Sequence, residues 1–564
     1  MNRIQNAGLI TFFFLLSLVV ASRIYIDVII PSGAFGWDEA AHALRGLVIA
    51  RDLEQGDWLA FLYDSYRQVY WPPVHSWLTG VAFLIAGVST VAARTVSLVA
   101  FVMAAYALYL AALEMKRQNG DVAATVAATL FVTSPSLAIY AGQSMVEIPG
   151  LLFLILTLLI YFKLSKDSGQ ARDYLLLGFG VTATYFVKSN YGVLLVIAIF
   201  TVSLIDAGFR PKQLLTRANW FALLPLSVVF PVWFAYPPKL IETWRTMVNQ
   251  PFGVREPFGL EGLLFYPLAF LRVSGSAWIL GLLLAALLAA LKFRNDKNVK
   301  FLITLVLTQT LIGQIHHTKV DRHIFPALPA LFLLAGYVAA HWWERSNEVN
   351  QGVGFWLPRL CTALVLFGAI GVFTESLRPS SIAYDAEIAR SITAAVPTNG
   401  TTLLIGSSDI RNPSPPPLDW ELVANKNSLA ASQTGTTADW EAVQNTIAGM
   451  HNGNFPDWVK PVILPLLNRT EGRMRSLYLG LPPHAAYSQS RDGFNSFLPA
   501  LARSYPFDSA LVITSMALGA RYPLSYIEPG LQEVGLQRAS TETLQRQNIR
   551  IDVYRRLATP EGTK

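Results

Sequence analysis

A series of long apolar runs dominates the chain, most of them close to the roughly 20 residues a helix needs to cross a bilayer. They lie at about 7–30, 93–113, 122–141, 147–163, 173–187, 190–206, 218–236, 273–292, 300–315, 323–343 and 359–376. Backbone N–H and C=O groups in hydrocarbon must bond within their own segment, so runs of this kind form helices. The expectation is a polytopic α-helical membrane protein with about eleven transmembrane helices over residues 1–376, followed by a region of different character over 377–564. With 53% hydrophobic and only 14% charged residues, a single soluble globule is excluded.

Two apolar segments need arbitration. The first run follows Arg3 and contains "VVAS", the pattern of a weak secretory cleavage site, but it continues past Arg23 and is long enough to span as an uncleaved helix. Trp71 to Val88 opens on Pro72-Pro73 and ends at Gly87 before Arg94, which predicts a helix at the membrane interface rather than another span.

Short cytoplasmic loops hold Lys and Arg. With the N-terminus inside, those loops contain Lys116-Arg117, Lys163, Lys166 and Arg172, then Arg210, Lys212 and Arg217, and finally Lys292, Arg294, Lys297 and Lys300. The same threading puts 31–92, the turn at Lys188, the stretch 237–272, the loop 316–322 and the whole tail outside. A bacterial plasma membrane suits this arrangement.

From about Arg378 the chain becomes Pro-punctuated, with β-type runs "TTLLIG", "SLYLG", "SALVITS" and "IRIDVYRRL" and helical stretches near 437–450 and 494–503. That alternation predicts a soluble extracytoplasmic α/β domain with a largely parallel sheet. The net charge of +7 falls in the membrane half as short clusters between apolar runs. Such clusters point to membrane lipids and not to nucleic acid. A single cysteine, Cys361, excludes an intramolecular disulfide and argues against thiol chemistry.

Ionisable residues gather at the predicted outer face. Asp38 and Glu39 are adjacent at the exit of the first helix, with His42 and Arg45 following at helical spacing. Acids beside hydrocarbon are costly unless paired, cation-bound or facing a wet cavity. The alternative is an ordinary helix start, where Asp and Glu are favoured. Glu147 in "SMVEIPG" falls on the same side, as a second acid of that cavity or as a cap of the next helix.

Cationic residues recur there: Lys188 in "FVKSNYG", then His316, His317, Lys319, Arg322 and His323 in "HHTKVDRHIFPALP". They suit a lipid-borne phosphate, while a solvated anchoring loop is the plainer reading. Arg67 and His75 flank the Pro-Pro step and either line the site or mark an interfacial helix start. The His pair lacks a third metal ligand at a fitting spacing, so no metal site is expected. No glycine-rich phosphate loop and no internal repeat are present.

In order, "WDEAAHA", "WPPVHSWL" with "GVSTVAARTVSLV", "SMVEIPGLLF" and "FVKSN" resemble the GT-C class of membrane glycosyltransferases, near the bacterial aminoarabinose-transferase and protein O-mannosyltransferase group. The likeness runs from the first helix through "RHIFPALPALFLLAGY". It implies transfer of a sugar, with inversion, from a polyprenyl-phosphate donor to a lipid, protein or polysaccharide hydroxyl on the outer face. It also implies Asp38 as catalytic carboxylate, with Glu39 its acidic neighbour and Glu147 the acid of the second outer loop. Lys188, with Arg322, then faces the donor phosphate, joined by Arg67, His316 and Lys319. No cofactor is required, and a divalent cation is compatible with the chemistry. Tyr70-Trp71 stand where an aminoarabinose transferase carries a lysine, and Glu147 where aspartate is common, which leaves the sugar open. A transporter or lipid flippase is the rival reading, but here the charges collect at one face and the two halves are unlike.

Overall fold

The computed structural model describes residues 3–376 apart from 33–34, 67, 69–70, 117–118, 167–168, 237–238, 241–242, 244–256, 317–318 and 349–352, and beyond them 402–407, 476–481, 507–515, 524–545 and 549–556. The chain forms two compact units, one of residues 1–32, 70–75 and 93–380, the other of 33–69, 76–92 and 381–564.

In the first unit, helix α1 (Arg3–Arg23) runs on into a π-helical stretch, Ile24–Ile29. In the second, α2 (Trp37–Glu54), α3 (Trp58–Tyr66) and most of α4 (Val74–Ala86) follow. The first unit continues through most of α5 (Thr90–Met115), then α6 (Gly120–Val132), α7 (Pro135–Ala141), α8 (Glu147–Lys166), α9 (Ala171–Val187), α10 (Ser189–Asp206) and α11 (Arg217–Phe234). It closes with α12 (Leu260–Ser274), α13 (Ala277–Ala290), α14 (Lys297–Ile315), α15 (Ala327–Glu348) and α16 (Val353–Ser376).

Among the described residues, six helices are long and apolar enough to cross a membrane, or up to eight if each of two bent pairs counts as one span, against about eleven expected. The shortfall has local causes. The run 122–141 breaks at Thr133-Ser134 and restarts at Pro135, bending by 63°. Proline has no N–H to continue the α6 ladder, but it suits the first position of a new helix. The run 273–292 breaks at Gly275, whose φ of 75° is left-handed, and α12 meets α13 at 111°. The Ser276 hydroxyl then accepts the Ile279 N–H and starts α13. Helix α9 has only 17 residues, and α15 carries His341, Glu344 and Arg345 in its last turns. Helix α4, with 13 residues, is about 20 Å long and too short to span, as expected of an interfacial helix.

Close helix approaches rely on small residues. In the first unit, α6 and α15 cross where a Cβ on Gly336 would lie 2.3 Å from the Ala123 carbonyl oxygen. In the second, α2 meets α4 at Gly46 and Gly80, and a Cβ on Gly80 would lie 3.0 Å from the Gly46 oxygen and 3.1 Å from the Ala50 nitrogen. Hydrogen bonds from Ser76 to Gln68 (2.9 Å) and from Trp77 to Ser65 (2.7 Å) tie α4 to α3 and the residues that follow it.

The C-terminal region holds a five-stranded sheet of order β2-β1-β3-β5-β4, from β1 (Thr402–Ser407), β2 (Ser476–Leu481), β3 (Ser509–Ser515), β4 (Leu536–Leu544) and β5 (Ile549–Arg556), with α17 (Leu524–Glu533) before β4. The four expected strands are present, and β4 is additional. The sheet is mixed, not largely parallel: β1 pairs in parallel with β2 and β3, while β3–β5 and β4–β5 are antiparallel. The few residues joining β4 to β5 are too short for a parallel crossover. The helices expected near 437–450 and 494–503 lie outside the described residues.

Candidate active site

The first unit brings together three segments that are distant in sequence. Glu147 opens α8, just after a short loop that Ser97 holds through hydrogen bonds with the Met145 backbone (3.2 and 3.4 Å). Lys188 is the extended residue between α9 and α10, with φ −147° and ψ 108°. Arg322 lies in a short 3-10 turn, Asp321–Ile324, between α14 and α15. Lys188 Nζ donates to Glu147 Oε1 at 2.6 Å, and Arg322 Nε lies 3.4 Å from the same oxygen. The carboxylate is 1% exposed, against 13% for Lys188 and 27% for Arg322, so the two cations screen it from solvent.

Tyr191, fully buried, places its ring 5.4 Å from Lys188 Nζ. It stands three residues after Lys188, at helical spacing. Gly150 makes room for both: a Cβ there would sit 3.0 Å from the Tyr191 ring and 3.1 Å from Lys188 Cβ.

The histidines and the second lysine differ from the expected set of cations. His316 and His323 face each other edge to face at 6.4 Å. Desolvation, reinforced by Lys188, Arg322 and His316, pushes the His323 imidazole down to about 4 against the opposing pull of Glu147. His323 is therefore neutral near pH 7. Lys319 is 6% exposed and donates to the carbonyls of Gly313 (3.1 Å) and Gln314 (2.9 Å), with its ammonium 5.0 Å from the Tyr266 ring centre. It caps the end of α14, whose last carbonyls have no partner within the helix. His317 and Arg67 lie outside the described residues.

The cluster thus carries two strong cations and one carboxylate. The shared carboxylate is sheltered from water, where charge-assisted bonds are strongest.

The remaining expected residues lie elsewhere. Asp38, Glu39, His42 and Arg45 are on α2 in the second unit. Glu39 accepts the Gly36 N–H at 3.0 Å, which secures the helix start; Asp38, one residue earlier, is half-buried. His42 and Arg45 are each 1% exposed and share the Asp38 face at a spacing of four and three residues. His75 is in the first unit and 1% exposed.

Helices α2 and α3 also hold a buried polar group absent from the expected set. Arg51 Nη2 lies 3.2 Å from Asp52 Oδ1 and 3.7 Å from Asp64 Oδ2, and all three side chains are under 10% exposed. Burial and the Asp64 carboxylate push Asp52 up to about 7, with Arg51 opposing. A carboxyl group whose folded value exceeds its unfolded value stabilises the fold fully below the unfolded value, and that contribution is lost as pH rises through about 7. The melting temperature should therefore fall as pH is raised across this window. In Asp52→Asn that slope should flatten; a slope identical to that of the unsubstituted protein would show that Asp52 does not titrate in this window.

Residues 71–234 match a family model described as dolichyl-phosphate-mannose-protein mannosyltransferase. Comparison with curated protein sequences gives no match. In fold the chain is similar to ArnT from Cupriavidus metallidurans in the apo state, with a TM-score of 0.58 and 14% identity over 97% of this chain and 98% of that one. ArnT from the same organism bound to undecaprenyl phosphate gives a TM-score of 0.52 at 14% identity over 99% of both chains. The Archaeoglobus fulgidus oligosaccharyltransferase tethered to an acceptor peptide with the NVT sequon gives 0.53 at 11% identity, over 97% of this chain and 73% of that one. The resemblance carried by the sequence motifs is borne out: the chain is a membrane glycosyltransferase with a GT-C fold.

Proposed function

We propose that this GT-C glycosyltransferase moves a sugar from a polyprenyl-phosphate donor to an acceptor hydroxyl, with inversion at the anomeric carbon. The observation that carries the reading is the meeting of Lys188 and Arg322 at a single buried carboxylate oxygen of Glu147. Two cations held by one acid form a cradle preset for a further anion. In this reading they bind the donor phosphate, with His316 as a neighbouring donor-side residue and Arg67, outside the described residues, assigned to the same phosphate from the sequence. Lys319, expected on the donor phosphate as well, donates to the end of α14.

The acceptor oxygen bonds to the anomeric carbon as the carbon–oxygen bond to phosphate breaks. The electron pair leaves with the phosphate, whose growing charge Lys188 and Arg322 stabilise. In the same reading Asp38 takes the acceptor proton with Glu39 as its acidic neighbour, Glu147 holds the two cations, and His42, Arg45 and His75 are further polar residues of the reaction. Undecaprenyl phosphate in the ArnT complex supports a polyprenyl carrier. A divalent cation is compatible with the acids, although among the described residues no group of three or more His, Cys, Asp or Glu could hold one.

The reading places the N-terminus in the cytoplasm and the C-terminal α/β domain, from about residue 377, outside. Lipid, protein and polysaccharide acceptors all remain candidates.

The purified protein, given membrane extract as acceptor source, should consume one member of a panel of polyprenyl-phosphate sugars and release polyprenyl phosphate. Consumption of none, with every panel member confirmed intact and soluble, would overturn the proposal.

A further inference from the structure

We propose that Arg272 is a positioning residue for Arg322, acting through Asp321. The inference rests on the donor-phosphate reading of Lys188 and Arg322. Arg272 lies in the last turn of α12 and grips Asp321 with both arms of its guanidinium: Nε donates to Oδ2 at 2.8 Å and Nη2 to Oδ1 at 2.6 Å. Asp321 is the first residue of the 3-10 turn that carries Arg322 and His323.

A turn of four residues has little internal bonding to hold its orientation. Here the backbone contributes His323 N–H to Val320 (3.0 Å) and Phe325 N–H to Arg322 (3.2 Å). Two side chains from other helices complete the mooring. The Arg272 fork holds the front of the turn, and Gln309 on α14 donates its amide to the His323 carbonyl at 2.6 Å at the back. Between these anchors, Arg322 Nε stands 3.4 Å from Glu147 Oε1, at the outer edge of a useful hydrogen bond. A small rotation of the turn moves Arg322 out of the cradle.

Arg272 and Asp321 are 50% and 39% exposed, so an ordinary ion pair between them would contribute little to stability. The two-point fork is different, because it fixes orientation as well as distance. Arg272 also sits where a cation favours the end of its helix. Arg272→Lys keeps that charge and loses the fork, which separates the two roles.

The test measures donor turnover and polyprenyl-phosphate binding in Arg272→Lys, Asp321→Asn and the swap Arg272→Asp/Asp321→Arg. Both single variants should raise the donor KM about five- to tenfold, with kcat within about twofold and an unchanged melting temperature. The swap should recover most of that loss. In an Arg322→Ala background, Arg272→Lys should have no further effect, because the residue it positions is gone.

An unchanged donor KM in Arg272→Lys, or losses that simply add in the Arg322→Ala background, would overturn the positioning role alone. Equal polyprenyl-phosphate binding by the unsubstituted protein and Arg322→Ala would instead remove the donor reading, and the positioning role with it.

Discussion

Asp38→Asn lowers turnover by about 10²–10⁴-fold while the donor still binds. Asparagine keeps the size of the side chain and its place in the first turn of α2 but cannot take a proton. Its neighbour Glu39 accepts the Gly36 N–H, which gives that acid a structural role at the helix start. Glu39→Gln retains an acceptor oxygen for that N–H and should cost far less. Steady-state rates with labelled donor, alongside donor binding measured separately, distinguish the outcomes. Near-normal turnover in Asp38→Asn, with loss of activity in Glu147→Gln, would transfer the base to Glu147. Activity in all three variants would end the carboxylate mechanism.

Removing Lys188 from the phosphate cradle without stranding the buried carboxylate should weaken donor binding by about 10- to 150-fold, the equivalent of one charge-assisted hydrogen bond of roughly 1.5–3 kcal/mol. The choice of variant matters. Lys188→Ala alone strips the nearer counter-ion from a carboxylate that is 1% exposed, and breaking a buried pair on one side costs roughly 3–5 kcal/mol of stability. Lost binding in that variant would be confounded with unfolding. Lys188→Met/Glu147→Gln removes both charges and keeps the volumes, so the fold should survive and the affinity loss can be read directly. Equilibrium binding of polyprenyl phosphate to the folded double variant is the measurement. An affinity equal to that of the unsubstituted protein would take Lys188 off the phosphate and leave Arg322, then His316, as the next residues to substitute.

The helical membrane architecture was legible because it depends on properties that each segment carries alone. Apolar length marks the spans, and helix starts announce themselves through residues such as Glu39, Asp296 and Ser276. Four of the five strands of the C-terminal sheet were legible for the same reason. The interruptions were harder. Thr133-Ser134-Pro135 and Gly275 sit inside runs whose mean apolarity hides them, and whether a chain bends there depends on what packs against the break. A Cβ on Gly275, for instance, would lie 2.8 Å from Pro135 and 2.9 Å from Val372.

The sequence by itself determined which residues were available for chemistry: two acids at the start of α2, one at the start of α8, a lysine between α9 and α10, and a basic turn before α15. Only the tertiary structure decided what each became. It joined Lys188 and Arg322 at one oxygen of Glu147, kept His323 neutral, turned Lys319 into a helix cap and tied Asp321 to Arg272. Helix formation follows from local periodicity and backbone bonding. Ion pairing and protonation follow from desolvation and charges a few ångströms away, which come from segments that the chain order does not make neighbours.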